Sequence, residues 1–172
     1  RWTDPDGTAR ERWVACSMSA GFDAIVNERA NSMRHPTGPS RYTLAILIEL
    51  VRLAPIHYRL VLDGRVIDTD ASLVSIGNGL SLGGGMKVTP NALFDDGLLD
   101  VMIVQPVSRL TFLRLFPKVF SGQHVGLPIV RMERARRIRI EADGIVVYGD
   151  GERIGPTPVD IETVPAALHV LV

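Results

Sequence analysis

The chain has 172 residues, of which 46% are hydrophobic and 22% are charged. This composition excludes a disordered or collagen-like chain and is sufficient for one domain with a buried core. Lysine and arginine together number 19, as do aspartate and glutamate, so the formal net charge is zero. A uniformly basic surface is therefore excluded, and we expect no nucleic-acid partner.

The single cysteine, Cys16, cannot form an internal disulfide or build a zinc site alone, which favours a reducing compartment. The longest dense apolar stretch, from Leu44 to Ala54, is interrupted by Glu49 and Arg52 and falls short of the about 20 residues that a membrane span needs. No apolar segment typical of a secretory signal opens the chain. We therefore expect a cytoplasmic protein. Because the chain begins with Arg1 rather than methionine, we also expect a piece of a longer protein.

The first third of the chain predicts one buried strand and two helices. The segment from Arg12 to Ala20 mixes apolar and small residues, which is typical of a buried strand, and a short helix is expected over residues 22–30. Ser40 is a candidate N-cap for a helix from Arg41 to about Leu53, which Pro55 ends. That helix is apolar on most sides, so we expect other elements to cover it.

From residue 56 the pattern changes to short strands separated by tight turns. The segment from Ile56 to Leu62 alternates, and Asp63-Gly64 indicates a hairpin because a tight reversal requires positive φ. Further strands are expected at residues 65–70, 71–76 and 98–104. The glycine run 83–85 lacks the Lys-Ser/Thr ending of a phosphate-binding loop, so a tight bend is the favoured interpretation.

The segment from Ser108 to Phe120 predicts another helix, capped by Ser108, kinked at Pro117 and ended at Gly122. Strands then return, with a hairpin at Asp150-Gly151, over residues 136–141, 145–148, 153–154, 159–164 and 168–172. Strand signals at roughly 8–12-residue spacing, without βα alternation, predict a mainly β (α+β) fold. We expect an antiparallel β-sandwich-like domain with two or three packed helices.

Charged residues supply three candidates for function. The first is a basic run, which is either a solvated strand edge or a contact for anionic phospholipid headgroups, formed by Arg131, Arg134, Arg136, Arg137 and Arg139. The second is the turn Asp95-Asp96-Gly97, whose oxygen donors suit Mg²⁺, although most such turns bind nothing. The third is Glu152, which is ionised at neutral pH and either accepts a proton across a cleft or is a solvated hairpin tip.

The stretch from Asn78 to Val104, NGLSLGGGMKVTPNALFDDGLLDVMIV, resembles the bacterial diacylglycerol kinase and related lipid kinase family. That family shows an Asn-Gly pair, a glycine run, Pro-x-Ala and then Asp-Asp-Gly-Leu-Leu-Asp ahead of a strand. The helix RLTFLRLFPKVFSGQHV (109–125) and the ending, YGDGE (148–152) followed by PVDIETVPAALHVLV, continue the resemblance. It covers the chain from about Cys16 onward, and the order of the motifs makes the set specific.

The resemblance is to the C-terminal half of these kinases, because the family's Gly-Gly-Asp-Gly-Thr nucleotide motif and its α/β pattern do not occur in the chain. It implies that residues 1–172 are a single lipid-side domain, with ATP held in a cleft mainly by an N-terminal domain. The implied activity is transfer of the ATP γ-phosphate to a lipid hydroxyl, from diacylglycerol to phosphatidic acid. The chain alone is then expected to be inactive.

Site residues follow from the same resemblance. The family's Asp-Gly-Glu glutamate, which is the general base on the lipid hydroxyl, matches Glu152. A structural Mg²⁺ of the family implies a site formed by the backbone oxygens of Leu93 and Leu98 and an acidic contact from Asp96, apart from the Mg²⁺ that accompanies ATP. Implied partners are the lipid substrate and, peripherally, the membrane surface, and an exposed sheet edge could pair with a second copy. Two alternatives stay open: a non-catalytic lipid-binding or regulatory module, and a kinase for sphingoid bases or another lipid.

Overall fold

Two six-stranded antiparallel sheets pack face to face in the computed structural model, which describes residues 1–81 and 85–168, without the side chain of Pro39. In chain order the elements are β1 (Trp2–Thr3), β2 (Ala9–Arg10), β3 (Ser17–Gly21), α1 (Phe22–Ser32), α2 (Pro39–Leu50), β4 (Ile56–Leu62), β5 (Arg65–Ala71), β6 (Leu73–Gly77), β7 (Leu99–Val104), α3 (Arg109–Leu115), α4 (Lys118–Ser121), a 3₁₀ helix (Gln123–Gly126), β8 (Val130–Ala135), β9 (Arg137–Glu141), β10 (Val146–Gly149), β11 (Glu152–Pro156) and β12 (Val159–Glu162). Sheet A has the order β2-β1-β12-β9-β4-β5, and sheet B has the order β11-β10-β3-β6-β7-β8. The predicted fold class, a mainly β sandwich with packed helices, is confirmed.

The main core lies between the two sheets, where both contribute fully buried side chains, including Leu60, Val74, Val101, Ile140 and Val147. The structure explains the alternation of apolar and polar residues in β4. Its residues Tyr58, Leu60 and Leu62 are buried, whereas His57 and Arg59 point to solvent. Because successive side chains of a strand point to opposite faces, one face of β4 supplies the core and the other is polar.

A second core lies on the outer face of sheet B, which the helices cover. Phe22 of α1 and Phe112 of α3 meet edge to face, with ring centroids 4.8 Å apart, above Leu73 and Met102 of the sheet. Strands β3 and β6 are therefore covered on both faces, and all of their residues are buried. In the described part of the chain no helix is long and apolar enough to span a membrane.

Several local predictions are confirmed. The Ser108 side chain caps α3 by accepting a hydrogen bond from the Thr111 N–H (3.2 Å), and Gly122 ends α4 with φ of 76°. The helix predicted over residues 108–120 is interrupted at Pro117, between α3 and α4, because proline has no N–H to donate. Hairpins occur at both predicted Asp-Gly pairs, 63–64 and 150–151.

Other predicted boundaries are wrong. Ser40 does not cap α2, because the helix already begins at Pro39, whose fixed φ suits a first helical position; the Ser40 hydroxyl instead donates to the Thr37 carbonyl. Residues 11–16 form no strand, since the chain there crosses the 150–151 hairpin. Strand β8 was not predicted, because its charged sequence resembles a loop. The strand expected over residues 168–172 falls almost entirely outside the described residues.

Candidate functional site

Glu152 and Asp96 lie at the same end of sheet B. Glu152 is paired with Gly149, which is in register with Met18 and, through β3, with Ile76 near the end of β6. Asp96 lies in the turn just before β7, whose first residues are in register with that same end of β6. Strands β11 and β7 are separated by four strand spacings, or about 19 Å along the sheet. The two predicted sites therefore lie at the same end of sheet B but are too far apart to be in contact.

The hairpin that carries Glu152 is anchored by the residue two positions earlier. Asp150 and Gly151 adopt φ of 49° and 83°, which gives the two-residue reversal that the sequence indicated. The Asp150 carboxylate accepts hydrogen bonds from the backbone N–H groups of Ala15 (2.7 Å), Cys16 (3.1 Å) and Ser17 (2.9 Å). These contacts fix the position of the turn against β3.

Glu152 itself is exposed, and its carboxylate forms no hydrogen bond or ion pair with any residue in the described ranges. Its neighbours are more constrained: Asn31 Nδ2 donates to the Gly151 carbonyl (3.4 Å), and Arg153 Nε lies 3.9 Å from Glu28 Oε1. Burial, together with the negative charges of Glu28 and Glu152, raises the pKa of Tyr148, which the cation of Arg153 opposes. An anchored turn thus presents an unpaired carboxylate that can accept a proton.

The Asp96 turn is held by polar contacts of its own. One Asp96 oxygen accepts a hydrogen bond from the Leu98 N–H (2.9 Å), and the other accepts one from the Arg134 guanidinium. Arg134 Nε also lies 3.4 Å from Oδ2 of Asp100, whose side chain is 6% exposed. Burial raises the pKa of Asp100, an effect that Arg134 opposes and Asp96 reinforces. Two carboxylates therefore share a single cation at the start of β7.

These residues are chemically suited to a small hard cation. Oxygen donors are the ligands that Mg²⁺ takes, and Asp100 Oδ2 is a buried carboxylate oxygen without a hydrogen-bond partner among the described residues. Asp96 could serve a metal through the lone pairs that Leu98 and Arg134 leave open. The described ranges contain no cluster of three or more His, Cys, Asp or Glu side chains arranged for a metal. A Mg²⁺ at this turn would therefore also need backbone oxygens, as predicted for Leu93 and Leu98. The Mg²⁺ site stays a prediction.

A loop after β6 connects the two candidate sites. Asn78 N–H donates to the Cys16 carbonyl (2.8 Å) and Asn78 Nδ2 to that of Ala15 (3.1 Å), next to the Asp150 anchor. A Cβ atom on Gly79 would lie 2.2 Å from the ring of Phe94, which precedes the Asp96 turn. The Asn-Gly motif of the sequence is therefore a packing requirement at this end of sheet B. Gly83 and Gly84 of the glycine run lie outside the described residues.

The predicted basic run is largely neutralised by acidic neighbours. Its ion pairs join Arg131 to Glu133, Arg134 to Asp96, Arg137 to Glu162 and Arg139 to both Glu141 and Asp160. Surface pairs of this kind contribute little to stability, but they remove the excess positive charge that an anionic surface would attract. The geometry supports a solvated, ion-paired strand surface rather than the headgroup contact, although only β8, which carries Arg131 and Arg134, is an edge strand.

Sequence reasoning missed a half-buried carboxylate on the outer face of sheet B. Asp23, in the first turn of α1, accepts hydrogen bonds from the Ser75 hydroxyl (2.9 Å) and the Ala24 N–H (3.0 Å). Burial raises its pKa to about 6, although hydrogen bonds from Ser75, Ala24 and Ser19 oppose the shift. The available signal was an aspartate directly after Gly21-Phe22, where a buried strand turns into a helix.

Comparison with known proteins gives concordant results. Residues 16–172 match the family model described as "YegS C-terminal NAD kinase beta sandwich-like domain". A "Diacylglycerol kinase" of Mycobacterium tuberculosis is 48% identical over 167 residues, which are 96% of this chain and 54% of the relative. A "Probable lipid kinase YegS-like" of Stenotrophomonas maltophilia is 29% identical over 170 residues, or 97% and 54% of the two chains.

Solved structures agree on the fold. "A putative diacylglycerol kinase from Bacillus anthracis str. Sterne" superposes with a TM-score of 0.60 at 24% identity, over 88% of this chain and 50% of the other. The chain thus spans about half the length of the curated relatives that it matches.

Proposed function

The chain belongs to the family of YegS C-terminal NAD kinase beta sandwich-like domains, and on this basis we propose that it is the lipid-side domain of an ATP-dependent lipid kinase with diacylglycerol as its acceptor. The relatives that bear a kinase name are about twice as long as the region they share with this chain. In the proposed enzyme, the remaining half supplies most contacts to ATP. The present chain supplies the acceptor side of the cleft.

The observation that carries the proposal is the unpaired carboxylate of Glu152 on an anchored turn. A lipid hydroxyl is a poor nucleophile until a base removes its proton during attack, and a carboxylate that is not already bound to a cation is suited to that task. Glu152 would accept the proton while the hydroxyl oxygen attacks the γ-phosphorus of ATP. The contacts of Asp150 to residues 15–17 would keep the base at a fixed position.

The other groups of the proposed reaction have separate roles. Phosphoryl transfer depends mainly on alignment and on neutralising phosphate charge, which the Mg²⁺ that accompanies ATP supplies. Asp96, with the backbone oxygens of Leu93 and Leu98, would hold a structural Mg²⁺ at the start of β7. Its contribution would be to fix the turn beside the loop that carries Asn78, and not to take part in proton transfer.

Substitution of Glu152 tests the proposed base directly. In the complete kinase, Glu152→Gln should lower kcat by about 100-fold or more on a short-chain diacylglycerol, because general base catalysis contributes on the order of 10²–10⁴. The matched control is Asp143→Asn, which neutralises an exposed turn carboxylate at the other end of β10. Near-normal kcat for the glutamine variant would reject the role.

Two further measurements bear on the proposal. The 172-residue chain alone should show no transfer from radiolabelled ATP, whereas the complete protein should be active. A panel of lipid alcohols, including a sphingoid base, should give the highest kcat/KM for diacylglycerol. Preference for a sphingoid base would change the acceptor but not the reaction, and no transfer to any lipid would overturn the kinase assignment.

A further inference from the structure

Positive charge is left unpaired on the helical side of the molecule. Arg109, Arg114 and Lys118 of α3 and α4 form no ion pair with any residue in the described ranges, and residues 105–129 contain no aspartate or glutamate. The arginines of the sheets differ in this respect, since Arg59, for example, lies within ion-pairing distance of both Asp68 and Glu141. A chain with zero net charge therefore presents a locally cationic surface.

The same helices expose large apolar side chains. Leu110, Leu113 and Phe120 are 76%, 43% and 47% exposed, and their spacing places them along one side of the interrupted helix. The opposite side is buried against sheet B through Phe112, with Phe116 packed beside it. We call the exposed side, formed by Leu110, Leu113, Phe120, Arg109, Arg114 and Lys118, the α3–α4 face.

A second helix shows the same combination. Leu44, Leu47 and Val51 at the exposed side of α2 are 38%, 50% and 65% exposed, and Arg52 beside them has no acidic partner among the residues described. The single acidic residue of α2, Glu49, is buried and pairs with Arg29. Both helices thus combine exposed apolar side chains with cations that no nearby acid neutralises.

We propose that the α3–α4 face docks on an anionic phospholipid surface. A lipid interface matches both components, since its phosphates attract arginine and lysine and its acyl region accepts leucine and phenylalanine. If two copies of the chain met through this face, the cations of one would lie against the cations of the other. This repulsion disfavours self-association through the α3–α4 face. The inference rests on the proposed function only in that a lipid acceptor requires access to a membrane.

The position of the α3–α4 face is consistent with this role. The Lys87 N–H donates to the Val119 carbonyl of α4 (3.0 Å), and a Cβ atom on Gly122 would lie 3.2 Å from Pro90. These contacts join α4 to the loop that leads into the Asp96 turn. Docking through α3 and α4 would therefore hold this loop, which leads into the Asp96 turn, near the lipid surface.

Co-sedimentation with vesicles tests the proposal. The complete protein should bind vesicles of an equal mixture of phosphatidylcholine and phosphatidylglycerol but not vesicles of phosphatidylcholine alone. Replacing Arg109, Arg114 and Lys118 together by glutamine should weaken binding by about 100-fold, since each cation near an anionic surface contributes about fivefold. The matched control replaces Arg59, Arg65 and Arg137 of sheet A by glutamine, which removes the same charge and should weaken binding less than fivefold.

The apolar component has a separate variant. Leu110→Ser combined with Leu113→Ser should reduce vesicle binding at unchanged charge, while the thermal unfolding temperature of this variant stays close to that of the parent protein because neither side chain belongs to the buried core. Equal losses for the helix and sheet triple variants, unchanged binding of both helix variants, or an α3–α4-dependent dimer in sedimentation velocity would each overturn the proposal.

Activity on a short-chain, water-soluble diacylglycerol separates this proposal from the kinase assignment. The helix variants should keep kcat on that acceptor and lose activity only on vesicle-borne substrate. A complete protein that binds vesicles through the α3–α4 face but transfers no phosphate would refute the kinase assignment and leave the docking surface intact. Normal transfer on both substrates by the triple helix variant would refute the docking surface alone.

Discussion

Asp63 and Asp150 hold equivalent positions, one in each sheet. Each opens a two-residue turn with positive φ, 47° and 49°, and each is followed by glycine. The N–H of each donates to a carbonyl on a neighbouring segment, Arg137 at 3.0 Å for Asp63 and Ser17 at 2.9 Å for Asp150. Each carboxylate then accepts bonds from successive backbone N–H groups there, those of Arg136 and Arg137 in one case and of Ala15, Cys16 and Ser17 in the other. The same arrangement of hydrogen bonds therefore holds one hairpin turn in each sheet.

Removal of the Asp150 carboxylate should destabilise the protein. Asp150→Ala deletes the acceptor for three backbone donors and places alanine at positive φ, so we expect the free energy of unfolding to fall by about 1–2 kcal/mol. Asp150→Asn should lose less, because asparagine tolerates this conformation and keeps one acceptor oxygen. Urea denaturation measures the difference. Asp143→Ala, at an exposed turn, should have almost no effect, and an equal loss for both alanine variants would contradict the anchor.

The pH dependence of stability should report on Asp23. Its pKa is raised to about 6 from an ordinary value of 3.8, so the folded protein holds the proton more tightly than the unfolded chain. The resulting stabilisation is fully present below about pH 4 and is lost as the pH rises to about 6. Asp23→Asn removes this pH-dependent loss of stability. The unfolding temperature of the variant should therefore rise relative to that of the parent protein as the pH increases from about 4 to about 6. Parallel curves for the two proteins between pH 4 and 7 would refute the shift.

Glycine at position 77 should be required by packing. A Cβ atom there would lie 1.9 Å from Oγ1 of the buried Thr89, so Gly77→Ala forces β6 and the following loop apart. We expect a loss of about 1–3 kcal/mol in the free energy of unfolding, the usual cost of overpacking. Gly126→Ala is the control, because its Cβ would meet nothing within 4 Å. Adding Thr89→Ser to the Gly77 variant should not restore stability, since the hydroxyl remains.

Magnesium should stabilise the protein through Asp96. A ligand that binds only the folded state contributes about 2.7 kcal/mol at a concentration of about 100 times its Kd, so Mg²⁺ should raise the unfolding temperature. Asp96→Asn should abolish most of that increase. The variant also loses its contact to Arg134, which changes its unfolding temperature without Mg²⁺. The quantity to compare is therefore the increase in unfolding temperature when Mg²⁺ is added. Asp143→Asn should respond as the parent does, and an undiminished response of Asp96→Asn would exclude the residue as a ligand.

Features that depend on neighbouring residues were predictable from the sequence. Asp-Gly pairs specify a two-residue reversal, Ser108 specifies a helix start, and Pro117 specifies an interruption, because each acts through its own backbone. The alternation in Ile56–Leu62 was equally informative, since one sheet face is buried and the other is solvated. These local signals were sufficient for the sandwich class.

Features that depend on distant partners were not predictable. Asp23 becomes partly enclosed because Ser75, far along the chain, is brought beside it by the pairing of β3 with β6. The sequence could not show whether the basic run is a solvated strand or a contact for lipid headgroups. The acids that neutralise it, such as Glu162 and Asp160, come from the distant strand β12. The family resemblance supplied Glu152 and Asp96, and the structure adds that they share an end of sheet B.

The first and last described strands lie side by side. Trp2 of β1 is in register with Val159 of β12, and β12 separates β1 from β9. The β1–β2 pair therefore cannot join the rest of sheet A until β12 has been synthesised, whereas β4 and β5 can pair as soon as they appear. Such a topology favours slow, late closure.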